Sequence, residues 1–376
     1  MTLPSTVAAD TTVARMPEML PAAGLGPGIY FNLSEDRYHQ DSALGSSDIR
    51  EIRKDPETWW RASGLNPDAA ERAAYQWSTK ATVLGTAVHK LVLEGRAPFE
   101  LAYARRPDDA PGSSPSEKGA LTKQANAAAR ASNRISLHGD EWLLCERTAG
   151  LITAHPDLAT ALNGGANEVS VIWRRPDGIM CKARFDRLKV HGIGDIKTIE
   201  NEHKKALPAA CRYDVASRRY DMQAEHYLEA RAQFRALVRA GLVFMVDVHG
   251  QPERAVDSSI VGATSCLTLA TECATTSRHE RDEQGTVFWT NGDGEADVEP
   301  GYAFQFVFVQ KSSPGVWSCT LSPGNDILQV ARMHIEEAIA TYRNLSRIVS
   351  PGKPWPPQWR VEELDPSELP AFWGRE

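Results

Sequence analysis

The stretch from residue 168 to residue 198 constrains the fold most, because its hydrophobic pattern repeats every two residues. Apolar and polar side chains alternate along Glu168–Arg174, Ile179–Leu188 and Ile193–Thr198. A turn at 176–178 and a glycine at Gly192 separate these segments. Such runs, bounded by turn residues, are typical of consecutive β-strands. The sequence therefore predicts three neighbouring strands in the middle of the chain.

Acidic and basic side chains stand near the ends of the second and third predicted strands. Asp186 and Asp195 can converge on one hard cation such as Mg²⁺, which prefers oxygen ligands. Lys197 shares a strand face with Asp195 because the two are two residues apart. Its ammonium can act beside a water that the cation acidifies for attack on a phosphodiester. Alone this pattern is weak: Glu202-His203-Lys204 repeats it, and a solvated ion pair on a hairpin edge also explains it.

Helical patterns on both sides of these strands predict an α/β fold. Two further strands are predicted over Tyr302–Gln310 and Val316–Leu321. Helices are predicted to begin near Ser46 and to span Lys80–Glu94, 120–134, 141–162, 220–240 and Asp326–Arg347.

Composition excludes several classes of protein. The chain of 376 residues is 42% apolar, so it can bury a core, and its net charge of −7 argues against a protein that coats nucleic acid nonspecifically. No apolar run approaches the length of about 20 residues that spans a bilayer. The N-terminal segment lacks the apolar stretch of a signal peptide, and the six cysteines form no CxxC pair. We therefore expect a reduced, cytoplasmic protein with no membrane association.

The predicted domain organisation is a flexible tail over residues 1–27 and a single domain over 28–376. Within that domain, residues 247–300 contain eleven acidic and three basic residues, a net charge of −8. The rest of the chain is therefore nearly neutral. We interpret 247–300 as an acidic insertion that projects away from Asp186 and Asp195, since it would repel a DNA backbone. An alternative is that it mimics DNA and gates the groove.

Five blocks of sequence, in order along the chain, resemble the exodeoxyribonuclease VIII (RecE-type) branch of the PD-(D/E)xK nucleases. The resemblance implies a restriction-endonuclease-like core, in which helices flank a mixed central sheet. The blocks are Tyr38-His39 with Leu44–Asp48; Leu84–His89 with Leu93-Glu94; Cys181–Leu188 with Asp195–Thr198; Tyr220–Tyr227; and Phe306–Lys311 with Trp355-Pro356 and Leu369-Pro370.

The resemblance also implies roles for individual residues. His89 resembles the helix histidine that ligates metal in this branch, although a half-buried structural histidine is the alternative. Asp186 and Asp195 resemble the two metal carboxylates, and Lys197 resembles the catalytic lysine. Glu168 matches an acidic position that opens the preceding strand and acts through water; a surface glutamate would look the same.

Further residues are expected to border the active site. Gln223 and Tyr227 are four residues apart on one helix face and resemble a Q-x-x-x-Y motif that contacts DNA. Their alternative roles are a helix start and a core tyrosine. Arg184 lies beside Asp186 on the same strand face. Phe185, which stands where the family usually has proline, points to the opposite face, toward the core. With Arg184 we expect a basic patch for phosphates, or a solvated charged loop, formed by Lys204, Lys205, Arg212, Arg218 and Arg219.

By resemblance, the expected activity is Mg²⁺-dependent degradation of double-stranded DNA from the 5′ end, with Mn²⁺ able to substitute. The 3′ single strands that remain would serve an annealing protein in phage-type recombination. The expected partners are DNA ends, that annealing protein and further copies of the chain in a ring, in a bacterial or phage-infected cytosol. The alternatives are a single-strand-specific nuclease, an endonuclease, or a catalytically silent DNA-binding scaffold.

Overall fold

The structure is a computed structural model that describes residues 24–75, 80–109, 111–155, 158, 161–201, 205–275, 278–281, 287–290, 304–310 and 318–356. Residues 1–23 of the predicted tail lie outside the described residues. Residues 202–204, which include Lys204 of the predicted basic patch, also lie outside them. The helices are α1 (Glu35–Gln40), α2 (Ser46–Lys54), α3 (Pro56–Ala62), α4 (Ala69–Tyr75), α5 (Lys80–His89), a π-helical turn (Lys90–Glu94), α6 (Arg96–Ala102), α7 (Pro115–Ala131), α8 (Gly139–Ala154), α9 (Leu207–Arg218), α10 (Tyr220–Ala232), α11 (Phe234–Arg239), α12 (Ala263–Thr275) and α13 (Asn325–Ile348). The strands are β1 (Gly28–Phe31), β2 (Tyr103–Arg105), β3 (Ile135–Leu137), β4 (Ala166–Arg174), β5 (Met180–Lys189), β6 (Gly192–Ile199), β7 (Val243–Val246), β8 (Pro252–Arg254), β9 (Arg278–Arg281), β10 (Val287–Thr290), β11 (Phe304–Gln310) and β12 (Ser318–Leu321).

A mixed sheet forms the centre of the described fold. Its eight described strands have the order β12-β11-β6-β5-β4-β1-β7-β8. The three strands predicted from the alternating pattern form the antiparallel meander β4–β5–β6 in the middle. Strand β11 runs parallel to β6, and β7 runs parallel to β1. The α/β class and the mixed sheet are therefore both confirmed.

Both faces of the sheet are covered, as strand β11 illustrates. Its aromatic residues Phe304, Phe306 and Phe308 pack into the main core with residues of α10, α13 and α2. Val307 and Val309 point to the other face, where they pack with residues of α8 and the π-helical turn. Full burial of a Phe or Val side chain contributes roughly 1.5–3 kcal/mol, so this alternation fixes the register of β11. The strands that carry Asp186 and Asp195 are thereby held between two helical layers.

Several predicted boundaries differ from the structure for local reasons. The predicted helix Lys80–Glu94 changes to a π-helical turn after His89 and ends at Gly95, whose φ of 90° is in the left-handed region. Helix α8 stops at Ala154, before the predicted end at 162, because His155 precedes a proline and is extended. The predicted helix 220–240 is divided at Gln233 into α10 and α11.

The acidic segment contains a part of the core that the sequence analysis did not predict. Strand β8 lies at the edge of the sheet, separated from β5 by β4, β1 and β7. Helix α12, however, buries Ala270 and Cys273 completely in the main core. The buried Arg231 donates hydrogen bonds of 2.7 Å to the carbonyls of Cys273 and Val190. The first half of 247–300 is therefore integrated into the fold. Within the described residues no helix is both long and apolar enough to span a membrane.

Candidate active site

The site forms where the antiparallel pairing between β5 and β6 ends. Backbone pairs continue to Arg187 and Gly194, and the next pair in register would be Asp186 with Asp195. Instead, the Asp186 carboxylate accepts a hydrogen bond of 2.7 Å from the backbone N–H of Ile196. The side chain thus replaces a strand-to-strand hydrogen bond, which satisfies the buried N–H and leaves room between the strands.

Three potential metal ligands converge at this opening. The Nδ1 atom of His89, at the end of α5, is 3.4 Å from the Oδ2 atom of Asp186. Ligand atoms of His89, Glu168 and Asp186 all lie within 4.8 Å of one another. These side chains border a groove of about 1530 Å³ that Tyr38, Lys90 and other residues also line. Helix α5 lies close to β6, since a Cβ atom at Gly85 would be 3.3 Å from the Thr198 hydroxyl.

Glu168 reaches the site through an unusual backbone conformation. The register of β4 and β5 places it directly opposite Asp186, and its φ of 52° is left-handed. A non-glycine residue in this region costs roughly 1–2 kcal/mol. The Glu168 carboxylate is also paired with the guanidinium of Arg184. The surrounding strands therefore hold Glu168 in a strained conformation, as is common at functional sites.

Asp195 and Lys197 form a second group on the side of the sheet that faces α10. Asp195 is completely buried, and its Oδ1 atom is paired with the Lys197 ammonium. Its Oδ2 atom accepts a hydrogen bond of 2.8 Å from Gln223. The ammonium of Lys197 also lies 4.8 Å from the centre of the Tyr220 ring, a cation–π contact. Helix α10 thus fixes the position of both charged groups.

Burial and mutual repulsion shift the pKa values of these groups. Burial raises the pKa of Asp186 to about 7, which Lys197 opposes and Glu168 reinforces. Burial likewise raises the pKa of Asp195 to about 6 against the opposing effect of Lys197. Burial lowers the pKa of His89, and Lys197 lowers it further. For Lys197 the neighbouring carboxylates outweigh burial and raise the pKa, so it stays charged.

This set of donors fits a divalent cation. His89 contributes an imidazole nitrogen whose lowered pKa favours the neutral, ligating form. Glu168 and Asp186 contribute carboxylate oxygens, the ligands that Mg²⁺ and Mn²⁺ prefer. Burial, and to a smaller extent the Glu168 carboxylate, raises the pKa of Asp186, so the ionised carboxylate lacks the compensation that water would give it. A cation bound between these three side chains would supply that compensation.

A family comparison agrees with this arrangement. Residues 66–255 match the family described as "PDDEXK-like domain of unknown function (DUF3799)". The chain belongs to this family. The matched residues of this PDDEXK-like domain include α5, the β4–β6 meander and α10, which carry all the site residues described above.

Among solved structures, the PDDEXK-like chain is similar to one from Eubacterium rectale described as a "Putative exonuclease". The two share 10% sequence identity, with a TM-score of 0.44, over 85% of this chain and 89% of that one. No curated protein matches the chain.

The structure of the PDDEXK-like domain assembles most of the predicted site residues, but in two groups. His89, Asp186 and Glu168 form the first, and Asp195 with Lys197 forms the second. Asp195, predicted as a metal carboxylate, is not in the group of potential ligands that lie within 4.8 Å among the described residues. Glu168 is in that group, so its carboxylate can contact a metal directly and not only through a water.

The two residues of the Q-x-x-x-Y motif have different surroundings. Gln223 reaches Asp195, as described above. Tyr227 borders the groove but is only 8% exposed, and its ring contacts those of Phe185 and Phe304. Phe185 is fully buried, as expected from its core-facing position. Tyr227 therefore combines a core position with one edge at the groove.

The predicted basic patch is divided between two places. Arg184 lies in the main groove, where it holds Glu168 and donates a hydrogen bond of 2.7 Å to the carbonyl of Leu33. Arg218 and Arg219 line a separate cleft beside α2. Arg184 lies on strand β5, whereas Arg218 and Arg219 lie at the junction of α9 and α10. The linear sequence does not reveal that these two places are separate.

The sequence analysis did not predict two residues that contribute to the site, Lys182 and Tyr220, because neither belongs to a recognised catalytic or metal-binding pattern. Lys182 is buried and donates hydrogen bonds of 2.9 and 2.7 Å to the carbonyls of Tyr38 and Asp41. It thereby attaches the α1 segment to β5 at the wall of the groove. Tyr220 begins the fourth block of the sequence resemblance, which implies no role for it. Its position three residues before Gln223, hence on the same side of the helix, was the available signal.

Proposed function

We propose that this chain is a Mg²⁺-dependent deoxyribonuclease that hydrolyses phosphodiester bonds. The observation that carries the proposal is the convergence of His89, Glu168 and Asp186 within 4.8 Å. The Asp195–Lys197 pair adjoins this group, because Asp195 and Asp186 occupy neighbouring strands at the point where pairing ends. Membership of the PDDEXK-like family supports a nuclease.

Each residue has a role that its surroundings favour. A divalent cation, when bound by His89, Glu168 and Asp186, would acidify a water and neutralise charge that develops on the phosphate. The charged Lys197, held by Asp195 and Tyr220, would orient that water and stabilise the phosphate in the transition state. Gln223 would keep Asp195 in position through its hydrogen bond of 2.8 Å.

For the substrate we propose double-stranded DNA ends, degraded from 5′ to 3′ to leave 3′ single strands. The support is the resemblance of the five ordered sequence blocks to exodeoxyribonuclease VIII. The same resemblance supports Mg²⁺, replaceable by Mn²⁺, a ring of identical subunits, a single-strand annealing protein as partner and a role in phage-type recombination in the cytoplasm.

Digestion of linear duplex DNA labelled at either the 5′ or the 3′ end tests this function. With Mg²⁺ or Mn²⁺ we expect the 5′ label to be released first as mononucleotide, and with a chelator no release. The Lys197→Ala variant is the matched inactive control. A closed circular duplex that is cleaved would identify an endonuclease instead, and digestion only of single strands would identify that specificity. DNA binding without any cleavage would favour the scaffold.

A further inference from the structure

A second cleft, of about 430 Å³, lies between α2 and the junction of α9 with α10. It is distinct from the groove that contains the candidate metal ligands. Among the described residues, six charged ones line this cleft: five are basic, and the sixth is Glu51. The basic side chains are those of Arg50, Arg53, Lys54, Arg218 and Arg219.

Carboxylates position the arginines of this cleft by their Nε edges. The Nε atom of Arg53 donates to Glu337 at 3.0 Å, and that of Arg218 donates to Asp214 at 2.7 Å. A guanidinium has five N–H donors in a planar fork, so a bond at Nε leaves donors for a second acceptor. Phosphate oxygens are the acceptors that such a fork matches best. Lys54 adds an exposed ammonium to the same cleft.

The backbone at Arg219 also departs from ordinary geometry. Arg219 joins α9 to α10 with a φ of 55°, in the left-handed region. Its guanidinium donates to the Asp221 carboxylate at 3.0 and 2.8 Å and lies 2.6 Å from the Nδ1 atom of His334. Arg219 therefore contributes to the lining of the cleft, while Asp221 and His334 hold its guanidinium in place.

The cleft adjoins the candidate active site through a single aromatic ring. Tyr220 lines the cleft, and its ring centre is 4.8 Å from the Lys197 ammonium. The next turn of the same helix carries Gln223, which is bonded to Asp195. Each strand of a duplex carries one phosphate per about 3.4 Å along its axis, so a strand that enters the active site presents a series of phosphates to the surface beyond it.

We propose that this cleft binds the phosphate backbone of a DNA strand that extends beyond the active site past Tyr220. The proposal rests on the proposed nuclease function and adds a contact outside the cluster of metal ligands. The contacts would be independent of base sequence, because only phosphates are recognised. Arg50, Arg53 and Lys54 come from α2, more than 160 residues before the α9–α10 junction in the sequence.

The test compares DNA affinity in a chelator, where no cleavage occurs, across about 50 to 200 mM salt. The variant Arg53→Gln/Lys54→Gln removes two cleft cations. Lys123→Gln/Arg130→Gln removes two exposed cations from α7 and is the matched control. Two lost phosphate contacts reduce the salt slope by about 1.8 for a duplex or about 1.4 for a single strand. At about 0.1 M salt this corresponds to a loss of up to about 60-fold in duplex affinity.

The control variant is expected to bind DNA like the wild type. Equal slopes and affinities for both variants, in a protein that cleaves DNA, would overturn the cleft proposal and leave the nuclease function intact. Unchanged DNA binding with lost affinity for a polyglutamate peptide would assign the cleft to an acidic protein instead. A wild type that neither binds nor cleaves DNA would reject both proposals. Should the double variant melt early, Lys54→Gln alone, at an exposed side chain, should show half the slope change.

Discussion

Asp186 accepts a hydrogen bond of 2.7 Å from the backbone N–H of Ile196, at the point where the two central strands stop pairing. This contact orients the carboxylate toward His89, whose Nδ1 atom is 3.4 Å away. It also explains how a buried acid can form part of a sheet without leaving a backbone donor unsatisfied. One side chain, that of Asp186, therefore both replaces a backbone hydrogen bond between the strands and provides a candidate metal ligand at the opening.

Asp186 should make the stability of the metal-free protein depend on pH. Its folded pKa of about 7 lies above the unfolded value near 3.8, so the folded state binds the extra proton between these values. The stabilisation linked to that proton is complete below the unfolded pKa and is lost as the pH rises through about 7. Thermal melting in a chelator should show this loss, and Asp186→Asn should reduce it. Identical pH profiles for the two proteins would contradict the assignment.

Lys197→Ala should reduce the rate of DNA digestion by about 10²-fold or more, which is about 3 kcal/mol of barrier. The physical reason is the loss of the ammonium that Asp195 and Tyr220 position. Asp195→Ala should reduce the rate at least as strongly, because it removes the carboxylate that holds this ammonium and that the sequence resemblance implies as a metal ligand. Rates are measured on end-labelled duplex, with circular dichroism as the check on folding. Wild-type rates in both variants would show that the site is misassigned.

His89→Ala should raise the Mg²⁺ or Mn²⁺ concentration needed for half-maximal activity, since it removes one of three converging ligands. The exposed His191, in the β5–β6 turn, provides the control variant His191→Ala. A metal titration of activity distinguishes ligation from packing. If His89→Ala instead melted earlier and titrated like the wild type, His89 would be a structural residue.

Replacing residues 250–298 by a short Gly-Ser linker should lower the melting temperature strongly, contrary to the behaviour of a peripheral insertion. The replacement removes α12, whose Ala270 and Cys273 are fully buried. It also removes the Cys273 carbonyl as an acceptor of the buried Arg231, and a hydrogen bond to a charged group contributes about 1.5–3 kcal/mol. Arg231→Ala is the companion variant, which should weaken the same contact. An unchanged melting temperature after the replacement would contradict the placement of α12.

The local sequence determined much of the central sheet. Alternation over 168–198 predicted β4, β5 and β6 within about two residues of their observed ends, because a period of two is specific to strands. The same pattern placed Phe185 in the core. It also placed Asp195 and Lys197 on one strand face, where the structure pairs them.

The tertiary structure decided which of these residues meet. Glu168 joins His89 and Asp186 through strand register and a left-handed backbone, and neither property is encoded in an acidic residue at a strand start. The basic cleft likewise combines α2 with the α9–α10 junction, which helix packing alone brings together. The net charge of 247–300 predicted an acidic insertion that projects away from the site, whereas a few small buried residues of α12 pack its first half into the core. The sequence therefore determines which chemical groups the chain carries. The distances between those groups, on which a functional site depends, are set by strand register and helix packing.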